Sequence, residues 1–130
     1  AILILKKLQF SENDIIIVAE AIRNHSFTKG KVSTSVEGRI LQDADRLDAL
    51  GAIGIARVFS VSGSKKRQFY QLNDPFSKNR EPNDKKWALD HFFKKLLVLE
   101  KSMKTKIGKI EAKKRTRVLK NYLNELKKEI

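Results

Sequence analysis

The run Leu41-Gln42-Asp43-Ala44-Asp45-Arg46-Leu47-Asp48-Ala49-Leu50-Gly51-Ala52-Ile53-Gly54-Ile55-Ala56-Arg57-Val58-Phe59 decides the fold. It sets three aspartates within six residues ahead of a nearly charge-free segment rich in Gly and Ala. Stepped at about 100° per residue from Ala44, its first half is an amphipathic helix, and Ile40, Ala44, Leu47 and Gly51 form the expected inward stripe. Glu37, Asp45 and Asp48 fall on the same side, toward its edge. Carboxylates gathered there repel one another and lose hydration, so they need a cation. Arg46, Arg57 or a metal ion would serve, and so two readings stand. One is a helix start whose acids pair with those arginines; the other is a site.

Outward from this run, the composition calls for an all-α protein. Helix-favouring Lys, Leu, Ala, Ile and Glu dominate, and two prolines interrupt the chain of 130 residues. That length suits one domain with a core of its own. The absence of cysteine rules out disulfides and makes a cytoplasmic setting the natural expectation. The leading Ile2-Leu3-Ile4-Leu5 run is too short to span a membrane, and Lys6-Lys7 follow it where a signal peptide would carry its charges in front. The net charge of +13 is unevenly spread. Residues 1–63 hold 8 basic and 7 acidic side chains, whereas residues 101–130 hold 11 and 3. The basic tail reads as the solvated face of an amphipathic helix, and its field also attracts phosphate-bearing partners.

Along the chain, Phe10-Ser11-Glu12-Asn13-Asp14-Ile15 is a helix start. Ser11 caps, the acids suit the positive end, and Phe10 can staple onto Ile15. That helix runs to about His25, and a polar loop with Gly30 occupies residues 26–35. The motif helix follows over about residues 36–50, and the Gly/Ala segment makes a further helix or a bent continuation. Residues 60–83 are turn-rich and basic, with Ser62-Gly63-Ser64-Lys65-Lys66-Arg67 and Asn73-Asp74-Pro75, and read as a long, poorly fixed loop or lid. Asp84 can cap a helix over about residues 85–103, with Ala88, Phe92, Leu96, Leu99 and Met103 inward. A last helix turns Leu119, Tyr122, Leu123, Leu126 and Ile130 to the core.

The aspartate run resembles the Asp-Ala-Asp-Arg-Leu-Asp-Ala segment of the HD-domain superfamily of metal-dependent phosphohydrolases. It is closest to a small bacterial branch that continues as Gly-Ala-Ile-Gly-Ile-Ala-Arg. Other pieces follow in order: Ile22-Arg23-Asn24-His25-Ser26-Phe27, then His91-Phe92-Phe93-Lys94-Lys95-Leu96-Leu97, then Thr105, Ala112 and Arg115 in the closing helix. The resemblance spans nearly all of the chain except residues 60–86. It implies a compact helical bundle of HD type over residues 1–130.

The same resemblance implies a metal-dependent hydrolase of a phosphate ester or nucleotide. Metal-activated water would attack phosphorus. Asp45 corresponds to the final metal ligand; Asp48, one turn on at i+3, is placed to orient Arg46, Arg57 or a ligand, and equally to form a structural salt bridge. His25 would stand beside the substrate phosphate, although a His at a helix end also serves as a C-terminal cap. His91 and Lys95, at i and i+4, would clamp phosphate from one helical face, with Arg46 and Arg57 adding charge. A nitrogen-and-oxygen ligand set suits Mn²⁺, Mg²⁺, Fe²⁺, Co²⁺ or Ni²⁺. Other chemistries find no support. There is no Cys, no Ser in a Gly-x-Ser-x-Gly setting, no phosphate-binding glycine loop and no Cys/His zinc spacing.

One departure stands out. The superfamily carries a His and then a His-Asp pair upstream of the final Asp, yet this chain holds only His25 and His91, neither followed by Asp. The expectation is that an N-terminal portion with those ligands, and its helices, lies outside these residues. Two further readings accompany the enzyme: a basic nucleic-acid-binding helical module, and a non-catalytic remnant of the same fold.

Overall fold

The computed structural model describes residues 1–27 and 30–130; Thr28 and Lys29, inside the expected 26–35 loop, lie outside the described residues. The order is α1 (Ile2–Lys7), α2 (Glu12–Asn24), α3 (Val36–Asp48), α4 (Gly51–Ser64), a π-helical turn (Phe92–Leu96) leading into α5 (Leu97–Leu99), a 3-10 turn (Glu100–Ser102) and α6 (Lys106–Glu129). The protein is all-α, as its composition dictates. Among the described residues the extended pairing is limited to one bridge between Gln68 and Trp87.

Local chemistry sets the helix starts. Ser11 accepts from the Asp14 amide, Ser35 from Gly38 and Thr105 from Gly108, so three helices begin on a hydroxyl cap. Between α3 and α4 the chain bends by 65°. Gly51 takes φ +73° at this corner, and a Cβ on Gly54 would stand 2.1 Å from the Ala49 carbonyl oxygen. Only glycine allows both the turn and the close approach.

Leu50, Val58, Leu89, Phe92, Leu96, Leu99, Leu119 and Leu123 form the core between α4, α5 and α6. Burying one such side chain contributes about 1.5–3 kcal/mol. The expected inward stripe Ala88, Phe92, Leu96, Leu99 and Met103 is buried throughout. Of the last helix's stripe, Leu119, Leu123 and Leu126 are buried, Tyr122 is half-buried and Ile130 is exposed. Among the described residues, no single helix is long and apolar enough to cross a membrane.

Only the C-terminal half of the apolar stripe expected on α3 faces inward: Leu47 is half-buried against the core and Gly51 is buried. Ile40 and Ala44 are exposed, and the buried residues are Gly38, Gln42, Asp43 and Arg46. Hydrogen bonding outweighs hydrophobic patterning here, because Gln42 and Asp43 find backbone that needs a partner. Gln42 donates to the carbonyls of Asn24 and Lys31, both at 2.7 Å. Asp43 accepts from the amides of Lys104 and Thr105 and from the Thr105 hydroxyl, at 2.7–2.8 Å. These bonds tie α3 to the end of α2 and the start of α6.

The long loop begins after Ser64 rather than at residue 60, because α4 keeps its helical bonds through Ser62-Gly63-Ser64. It is also fixed more firmly than its turn-rich composition suggests. Asp90, wholly buried, accepts from the Arg80 guanidinium, the Asn83 amide and the Ser77 hydroxyl. Arg80 in turn lies over the Trp87 ring at 4.4 Å and donates to the Asp74 carbonyl. The helix expected from residue 85 starts near Asp90 instead. Asp84 does not cap it; its carboxylate holds His91 and Lys94.

Candidate active site

The three aspartates of the motif have three different fates. Asp43 faces inward and fastens the start of α6. Asp48 forms an ion pair with Arg57 of α4, with both side chains more than half exposed; such a pair adds little stability. Asp45 is exposed and, among the described residues, has no cationic partner. Arg46 pairs with Asp43 at 3.6 Å rather than with Asp45 or Asp48. Arg46 is 4 % exposed, and its Nε and Nη1 find no hydrogen bond. Its guanidinium stands 5.9 Å from the centre of the Phe27 ring.

Two adjoining clefts open over these residues. One, of about 90 Å³, is lined by Asp45, Arg46, Asp48, Arg57 and Lys95, with Phe27 and Leu99 as apolar walls. The other, of about 140 Å³, shares Arg57 and Lys95 and adds Arg67, His91 and Ser62. The structure therefore brings together Asp45, Arg46, Asp48, Arg57, His91 and Lys95. His25 is not among the lining residues. It sits at the C-terminal end of α2, where its Nδ1–H donates to the Ile22 carbonyl at 2.6 Å, the geometry of a capping histidine.

The π-helical turn places the second cluster. Its extra residue per turn lies between His91 and Leu97, and His91 and Lys95 still reach the same cleft. Asp84, from the end of the loop, accepts from His91 Nδ1 at 2.9 Å and from Lys94 Nζ at 2.9 Å. Burial pushes the Asp84 carboxyl up, but the bonds from His91 and Lys94 outweigh it and hold the group below the usual carboxylate range. His91 is thus fixed through one ring nitrogen by a charged carboxylate, which leaves Nε2 for other work.

Arg67, Phe27 and Asp84 were not among the residues singled out by sequence for the site. Arg67 stood within a basic run that reads as surface. Phe27 is a lone aromatic in a polar loop. Asp84 carries the signature of a helix cap. Asp84 and His91 are seven residues apart, which in a helix would put them on one face but about 10 Å apart; the turn between them is what brings them into contact.

A single divalent ion requires several donors, and among the described residues no group of three or more His, Asp or Glu side chains could hold one. Asp45 alone fits the part of a donor, so the residues present do not complete a metal centre. The two clefts differ in charge: the first sets Asp45 and Asp48 beside Arg46, Arg57 and Lys95, and the second gathers Arg57, Arg67 and Lys95 with no carboxylate.

The all-α fold is similar to that of a class of solved proteins that includes the HD superfamily. No family model matches the chain. Its likeness to known proteins is nevertheless close. YpgQ of Bacillus subtilis (strain 168), an uncharacterized protein, is 38% identical over 100 residues, which cover 77% of this chain and 43% of YpgQ. The crystal structure of Bacillus subtilis YpgQ in complex with ADP matches with a TM-score of 0.78 at 32% identity, over 99% of this chain and 59% of that one. An HD-superfamily hydrolase from Bacillus thuringiensis matches with a TM-score of 0.76 at 38% identity, over 96% and 57%. The likeness supports the HD superfamily as the family at the coarse level. The chain spans about half the length of these relatives.

Proposed function

We propose that the whole protein is a metal-dependent phosphohydrolase acting on a nucleotide or another phosphate ester. The observation that carries this reading is the fate of the three aspartates. Asp43 and Asp48 are spent on structural partners, while Asp45 is left exposed at a cleft whose other wall is cationic. A lone carboxylate without a protein cation is suited to donate to a metal ion, and Arg57, Arg67 and Lys95 are suited to neutralise phosphate oxygens. A bound divalent ion would supply Lewis acidity and an activated water, but it needs donors beyond those these residues bring together. Within the chain, Asp48 orients Arg57 and Asp84 orients His91 toward the same phosphate. The ADP held by YpgQ favours a nucleotide as substrate.

Metal analysis of the whole protein, with a screen of nucleotides and phosphomonoesters, tests the reading. Asp45→Asn nearly preserves size while removing the charged donor. Metal affinity and turnover are expected to fall by about 10-fold or more, with the fold intact because Asp45 supports no arginine. A variant destabilised by roughly 3 kcal/mol, the cost of breaking a buried pair, that kept its metal and turnover would overturn it.

A further inference from the structure

The cations of α6 fall into two sets. Lys114, Arg115 and Lys128 each have a carboxylate partner on the same helix, Glu111 or Glu125. Lys106, Lys109, Lys113, Arg117, Lys120 and Lys127 have none among the described residues, and all are exposed. At about 100° per residue these six fall within a wedge of roughly 80°, together with Asn124 and no acid. At about 1.5 Å per residue the row is about 32 Å long. Glu100 meets its edge, in a shallow groove with Lys113, Arg117 and Lys120.

We propose that this edge of α6 is a docking surface for the phosphate backbone of double-stranded nucleic acid. Charge complementarity identifies the partner. A straight row of unpaired cations of about 32 Å matches one turn of duplex, about 34 Å. No aromatic side chain lies in the wedge, so it offers no platform for stacking unpaired bases. The contacts are ionic and independent of sequence. A membrane surface fits less well, because the apolar stripe of α6 is already buried through Ala112, Leu119, Leu123 and Leu126, and the exposed Ile107, Ile110 and Val118 are scattered rather than gathered into a second apolar face. This surface is separate from the cleft and does not depend on the phosphohydrolase reading.

The test is fluorescence anisotropy of a labelled DNA duplex against the whole protein over a salt series. Binding at about 50 mM salt is expected, with log K falling against log salt at a slope near −3, as for three or four phosphates at roughly 0.9 each. Two duplexes of unrelated sequence should bind alike. The variant Lys113→Glu/Arg117→Glu/Lys120→Glu, on exposed helix positions, should lose about 10-fold or more in affinity and keep its circular dichroism. Lys6→Glu/Lys7→Glu/Lys31→Glu, with the same net charge, should lose less than about 2-fold. The proposal is overturned by absence of duplex binding at low salt, by equal losses in the two variants, or by binding to anionic vesicles in preference to duplex.

Discussion

Replacing Asp90 with asparagine tests whether one buried carboxylate holds the long loop. Asp90 is wholly buried and accepts from Arg80 Nη2 at 2.7 Å, the Asn83 amide at 2.6 Å and the Ser77 hydroxyl at 3.1 Å. Asparagine keeps the volume but removes the charge, and one of its two polar atoms can no longer accept. Breaking a buried ion pair costs about 3–5 kcal/mol. Arg80 remains stacked on Trp87 and bonded to the Asp74 carbonyl, so the lower figure, about 3 kcal/mol, applies. For a domain of this size that lowers Tm by roughly 10 °C. Burial raises the Asp90 carboxyl, but the Arg80, Asn83 and Ser77 bonds more than offset it, so its pKa in the folded protein lies below the ordinary value. A depressed carboxylate stabilises fully above its unfolded pKa of about 4 and ceases to do so as pH falls through the folded value. The gap between wild type and Asp90→Asn should therefore be widest at neutral pH and close in acid. Urea unfolding of both proteins across that range measures it. A neutral-pH loss under about 1 kcal/mol, or a gap that persists undiminished in acid, would refute the assignment of Asp90 as the charged anchor of the loop.

Other consequences follow from the packing and the cleft. Gly108→Ala should destabilise by about 1–3 kcal/mol despite alanine's higher helix propensity. The new Cβ would lie 2.2 Å from Asp43 Oδ2, which accepts from the Thr105 amide and hydroxyl while Oδ1 is held by the Lys104 amide, and an unchanged Tm would show that the carboxylate yields. Arg67→Gln should weaken binding of a nucleoside diphosphate by about 10-fold, the worth of one charged hydrogen bond, with unchanged unfolding; calorimetric titration reads it. Asp84→Asn and His91→Gln should each slow phosphate hydrolysis, and the double variant should be no slower than His91→Gln alone, because Asp84 acts through the ring it holds. Additive losses in kcat would show that Asp84 works independently.

The resemblance of the aspartate run to HD-type hydrolases, and the helical composition, settled the fold class before any coordinate. Both are properties of short stretches: a motif within one helix, a hydroxyl cap before an acidic turn, a stripe at helical spacing. Ser11 and the stripe from Ala88 to Met103 behave as their local patterns require. Of the residues singled out for the site, Asp45, Arg46, Asp48, Arg57 and Lys95 line one cleft, Arg57, His91 and Lys95 line the adjoining one, and His25 lines neither.

What only the tertiary structure decided is the direction each charged residue faces. The pattern on α3 put Ile40 and Ala44 inward, yet the helix turns Gln42, Asp43 and Arg46 to the interior. The partners of Gln42 and Asp43, at the end of α2, in the loop after it and at the start of α6, lie too far along the chain to show in any periodic pattern. The same bonds divided three similar aspartates into a structural anchor, an ion-pair partner and an unpaired carboxylate. They also let Asp90, an unremarked residue in the sequence, gather a loop that its own composition leaves loose. Hydrophobic periodicity records which faces can be buried; the long-range hydrogen bonds of buried polar groups decide which ones are.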